Sequence, residues 1–144
     1  MIERRRINRV KSKVRVTINL CDIRRDNAPI GSRITGRITD FTPYGACLHL
    51  DTIKCGDHHL FYTTQDHENH VVSLEYRADD EDNPVVVYGN PAWYDLCSSE
   101  TEIAKFKLGI EFLGGQDQEI LQKFLAKLAG RQDAEEGWLK KLFQ

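Results

Sequence analysis

Residues 13–21, KVRVTINLC, set Val14, Val16, Ile18 and Leu20 on one side against Arg15, Thr17 and Asn19 on the other. A strict period of two is the signature of an extended strand with one face in a core. The same signal returns in SRITGRITD, ACLHL, HLFYTT, HVVSLEYRA, PVVVYGNPAWYD and FKLGIEFL, joined by the turn-rich links DNAPIG, TPYG, DTIKCGD and DDEDNP. Six or seven evenly spaced strands with no helix between them predict an antiparallel barrel or sandwich and argue against a βαβ fold.

The period changes near the end of the chain. QDQEILQKFLAKLAG places Ile120, Leu121, Phe124, Leu125 and Leu128 on one helical stripe, with Asp117 and Glu119 at its start and Gly130 just past its end, which predicts an amphipathic helix capping the barrel. Beyond it, EEGWLKKLFQ clusters Trp138, Leu139, Leu142 and Phe143, read as another helical turn or two packed on the barrel. A chain of 144 residues supports one domain with its own core, and 40% hydrophobic with 29% charged residues is ordinary for a soluble globular protein. No apolar run spans a bilayer, and MIERRR lacks the apolar segment of a secretory signal, so the expected location is the cytoplasm. Cys21, Cys47, Cys55 and Cys97 are widely spaced and expected to be reduced and mostly buried.

Charge is unevenly distributed. Residues 1–37 hold eleven Lys/Arg against three Asp/Glu, and the remainder holds nine against nineteen. Within ERRRINRV four arginines occupy eight positions. A basic block of this kind is either a solvated arm or an anion-binding element.

Catalytic signatures are lacking: there is no G-x-S-x-G, P-loop, G-x-G-x-x-G or H-E-x-x-H. His58, His59, His67 and His70 fall within thirteen residues near Cys55, but adjacent strand residues face opposite ways and DHENH reads as a polar loop, so no metal site is expected. ADDEDNP reads as a solvated hairpin tip. The remaining polar constellation is GRITDFTPYGACLHL, where Asp40 and Thr42 project from the same side of an extended chain and Pro43, Tyr44 and Gly45 then turn it. On its own it is a strand-turn-strand corner.

Arg5-Arg6-Ile7-Asn8-Arg9 followed by Asp40-Phe41-Thr42-Pro43-Tyr44-Gly45 resembles the R-x-x-x-R and [D/N]-x-[S/T]-x-x-G pair of the PilZ domain family, and VVVYGNPAW and FKLGIEF resemble that family's later strands. The resemblance covers roughly residues 3–130. It implies a six-stranded antiparallel β-barrel with a C-terminal α-helix, acting as a non-enzymatic effector that binds the bacterial second messenger cyclic di-GMP through Arg5, Arg6, Arg9, Asp40, Thr42 and Gly45. Thr42 stands where the family usually has serine; it keeps the hydroxyl and adds a methyl.

The chemistry agrees with that implication. Arginine forks match the N7/O6 acceptor pair of guanine and its phosphates. Asp40 can accept from guanine N1–H and the exocyclic amine, and Gly45 is expected to let the ligand approach the backbone. The expected organisation is a basic arm over residues 1–12, a barrel and helix over 13–130, and an amphipathic tail over 131–144. Its output is expected to be a partner protein in trans. The alternatives are a PilZ-like interaction module that works mainly by docking a partner, and a small barrel binding single-stranded nucleic acid; the acidic balance of residues 38–144 counts against the second.

Overall fold

Alternating apolar residues close on themselves. In the computed structural model, which describes residues 9–77, 83–97 and 105–130, β1 (Val10–Asp22), β2 (Ala28–Thr42), β3 (Gly45–Leu50), β6 (His70–Tyr76), β7 (Val85–Leu96) and β8 (Phe106–Phe112) form a closed antiparallel barrel in the order β1-β2-β3-β8-β7-β6. Its interior takes the inward set of each strand: Val16, Ile18 and Leu20 from β1, Ile38 and Phe41 from β2, Leu48 and Leu50 from β3, Val72 and Leu74 from β6, Val87 from β7, Leu108 from β8, all buried. A barrel rather than a sandwich follows from the pairing of β1 with β6 along Thr17–Asp22, which joins the first strand to the last of the sheet and leaves no free edge there. The strand now begins at Val10, so residues 10–12 of the basic segment are strand and not arm.

Between β3 and β6 the chain departs from the strand reading. Lys54–Cys55 (β4) and His58–His59 (β5) form a two-residue ladder, and Leu60–Asp66 is a helix, α1, where HLFYTT predicts a strand. His59 is the cause: its Nδ1 accepts from the backbone N–H of Phe61 at 3.1 Å and of Tyr62 at 3.2 Å, satisfying the first free donors of the helix. Leu60 and Thr64, one helical turn apart, are buried beneath it. The first hairpin also turns earlier than DNAPIG suggests. Asp26 and Asn27 take the left-handed conformation at φ 53° and 59°, so Ala28 already pairs with Asp22.

The C-terminal helix α2 (Gln118–Ala129) begins at Asp117, whose carboxylate accepts from the N–H of Glu119 and Ile120, and ends at Gly130 in the left-handed conformation. Leu121, Phe124, Leu125 and Leu128 are buried as a barrel cap, with Phe124 edge-on to Phe112 at 6.4 Å. Ile120, expected on that stripe, is 42% exposed, as the whole first turn of the helix lies in solvent. Two side chains do the work of strands. Gln116 mimics a β-partner to β7, its Oε1 accepting from Tyr88 N–H and its Nε2 donating to Tyr88 O. Ser12 Oγ donates to Leu128 O at 3.1 Å and ties the start of β1 to the last turn of α2. No helix among the described residues is long and apolar enough to cross a membrane.

Candidate functional site

The β2–β3 hairpin builds one wall of a groove on the barrel's outer surface. Thr42 pairs with Gly45 across the two-residue turn Pro43–Tyr44, and Thr42 Oγ1 accepts from Tyr44 N–H at 3.1 Å, locking the corner with a side chain that is still free to donate its O–H. Asp40, two residues back, lies on the same face. Its Oδ1 accepts from Arg9 Nη1 at 3.1 Å, across thirty-one residues of sequence.

Register explains why these groups meet. Lys11 pairs with Asp40, Asp40 with Cys47, Cys47 with Gly109, and Gly109 with Trp93, so one row crosses β1, β2, β3, β8 and β7 and directs its side chains outward. Arg9, Asp40, Thr42, Gly45, Cys47, Trp93 and Gly109 line a single cavity of about 160 Å3. Of the six residues expected from the sequence, four are therefore brought together; Arg5 and Arg6 lie outside the described residues, as do Ala78–Asp82 of the acidic loop and the tail with Trp138, Leu139, Leu142 and Phe143.

Gly45 has a packing requirement of its own. A Cβ on it would run into the carbonyl oxygen of Ile110 in β8, so close strand packing calls for a glycine here. Sequence reasoning missed Trp93, which is 43% exposed with its indole over Gly109, where a Cβ would collide with the ring. Its signal is the pairing of a tryptophan with a glycine on the neighbouring strand, visible only once the register is known. Burial pushes the Cys47 thiol up, opposed by a hydrogen bond with Thr39, and so Cys47 is a neutral wall of the groove.

A larger depression of about 660 Å3 lies elsewhere, lined by Asp22, Asp66, Glu68, His67, His70 and Arg24 among others. Three carboxylates against one arginine make it a poor host for an anion. No group of three or more His, Cys, Asp or Glu among the described residues is arranged to hold a metal ion. Cys21, Cys47 and Cys55 are buried free thiols and Cys97 is half-exposed.

No family model matches the chain, and no curated protein does. Among solved structures the chain is similar to the PlzA protein of Borreliella burgdorferi, crystallised in complex with c-di-GMP, at 16% identity and a TM-score of 0.50 over 88% of this chain. The chain spans about half of that protein, 54% of its length. A second similar structure is the PilZ domain of CeSA from a cellulose-synthesizing bacterium, at 10% identity and a TM-score of 0.44, covering 85% of this chain and 96% of that one. The likeness to PlzA is one of fold.

Proposed function

We propose that this protein binds cyclic di-GMP across the Arg9–Asp40–Trp93 groove and acts in the bacterial cytoplasm as a non-enzymatic effector that reports the messenger's level to a partner protein. The observation that carries the proposal is the convergence, in one groove, of an arginine, a carboxylate, a hydroxyl and an open indole face drawn from both ends of the barrel sequence. Each has a task on a guanine dinucleotide. Arg9 uses one of its five N–H donors on Asp40 and has others for a phosphate or the N7/O6 edge. Asp40 keeps acceptor capacity for guanine N1–H and the exocyclic amine. Thr42 O–H can donate to a phosphate oxygen, and Trp93 offers a stacking surface worth about 1–3 kcal/mol per base.

A cavity of about 160 Å3 is smaller than the roughly 300–1,000 Å3 of enclosed small-molecule sites. The ligand would therefore lie across an open surface and need a second wall. Arg5 and Arg6 are the candidates for it: residues 1–9 carry four arginines and one Glu, and two ligand phosphates would neutralise part of that charge and order the segment over the groove. On this reading residues 1–9 are the responsive arm, 10–130 the barrel and helix that hold the site, and 131–144 a tail available to the partner.

Isothermal titration with cyclic di-GMP, GTP and a short oligonucleotide tests the reading. Saturable binding of cyclic di-GMP alone, weakened by salt, supports it. Equal binding of the oligonucleotide would make the groove a nucleic-acid surface, and the absence of heat with all three would leave a docking module. Asp40→Ala sharpens the test: it should weaken cyclic di-GMP and narrow its preference over cyclic di-AMP, because adenine has neither the N1–H nor the 2-amino group that the carboxylate reads.

A further inference from the structure

One row along from the groove, the barrel gathers three basic side chains and a histidine. Arg15 pairs with Arg37 across β1 and β2, Arg37 with His49 across β2 and β3, and His49 with Lys107 across β3 and β8. Cross-strand partners share a face, so these four side chains form a ladder across four strands, outward like the Cys47–Gly109–Trp93 row and two residues from it along β3 and β8, about 7 Å away. Arg15 and Arg37 are exposed, and His49 and Lys107 half-buried. Among the described residues Arg15, Arg37 and Lys107 make no ion pair.

Like charges placed directly opposite each other weaken a sheet, and Arg15 opposite Arg37 is such a placement. A fold has no use for it; a ligand of opposite charge does. We infer that the Arg15–Arg37–His49–Lys107 row is a docking surface for a short acidic segment of a partner protein, laid in extended form across the strands.

The dimensions and the surroundings select that occupant. Strands about 4.8 Å apart put Arg15 and Lys107 roughly 14 Å from each other, and an extended chain spans about 13 Å from residue i to i+4, so three carboxylates at alternate positions cover the length of the row. The row stops at β7, where Lys107 faces Asp95. Charges are screened over about 8 Å at physiological salt, so a segment confined to the row feels chiefly its basic side chains, whereas a longer polyanion that follows the row across β7 meets the Asp95 carboxylate. Short acidic peptide therefore fits better than nucleic acid.

The full chain, labelled with 15N, would be titrated with the peptide acetyl-Glu-Ser-Glu-Ser-Glu-amide and its amide shifts followed. The expected result is saturable shifts at Arg15, Arg37, His49 and Lys107 that weaken about tenfold between roughly 20 and 150 mM salt. Arg37→Glu should abolish them while leaving the melting temperature equal or higher, since it replaces a like-charge pair by Arg15 facing a carboxylate. Lys123→Glu on the exposed face of α2 makes the same change in net charge and should leave binding intact. The inference is overturned if Lys123→Glu is as damaging as Arg37→Glu, or if no shifts occur at low salt. It is equally overturned if a single-stranded oligonucleotide binds the same amides more tightly than the peptide, or if cyclic di-GMP alone shifts them and displaces it.

Discussion

Arg9 and Asp40 meet at 3.1 Å with their side chains 66% and 15% exposed, so the carboxylate is sheltered and the guanidinium is mostly in water. An ion pair of that kind contributes about 0–1 kcal/mol to stability, whereas its charge-assisted bonds to a bound anion would contribute about 1.5–3 kcal/mol. Arg9→Ala should therefore weaken cyclic di-GMP at least about tenfold and shift the urea midpoint little. Affinity unchanged within error would remove Arg9 from the site.

Gly45→Ala should behave in the opposite way. Its Cβ would press on the backbone oxygen of Ile110, which cannot move aside without opening the β3–β8 ladder. Overpacking of this kind costs about 1–3 kcal/mol, readable as a lower urea midpoint with or without ligand. A fully stable Gly45→Ala protein that failed to bind would restore the glycine to the ligand's side.

At Gly109 the neighbour is a side chain, so the response should be local. Gly109→Ala would displace the Trp93 indole from its seat. In a Trp138→Phe background, Trp93 is the sole indole, and its emission should shift in the variant while far-UV circular dichroism is unchanged. Cyclic di-GMP should quench the parent protein's emission and quench the variant's less.

Helix α1 should be acid-sensitive. His59 Nδ1 can accept from Phe61 and Tyr62 N–H only while the ring is neutral, and burial, followed by Lys54 on the facing strand, pushes its pKa below the usual imidazole value. A folded-state pKa below the unfolded one means that the unfolded chain takes up the proton first. The contribution is then complete above the usual imidazole range and is lost as pH falls through it. His70 is depressed in the same direction, by burial and then by His67, so both act together. His59→Asn keeps a capping oxygen without a titrating ring and should flatten the stability profile between about pH 7 and 5. An unchanged slope would assign the effect to His70.

The parts of this molecule that could be read from the sequence are those decided by near neighbours. Val14 to Leu20 alternate because each neighbour along β1 faces the other way, and Asp117 and Gly130 mark the ends of α2 through bonds within three residues. Asp40, Thr42 and Gly45 were legible as a corner for the same reason. Leu60 to Thr64 were not, since their residue types favour strands and the decision rests on one histidine lone pair and on contacts such as Tyr62 Oη with Tyr94 Oη at 2.8 Å, thirty-two residues apart. Trp93 and the Arg15–Lys107 row depend on register across several strands, which no local window contains.

The hydroxyl of Ser12 on the carbonyl of Leu128 carries a consequence for anyone who handles this chain as an object. It brings the two ends of the described fold, three residues before Ser12 and two after Leu128, to one corner of the barrel. Donor and acceptor dyes placed at Lys11 and Gly130 would report on each other. Joining residues 9 and 130 by a short linker and reopening the chain between β6 and β7 should give a circular permutant that keeps the barrel intact.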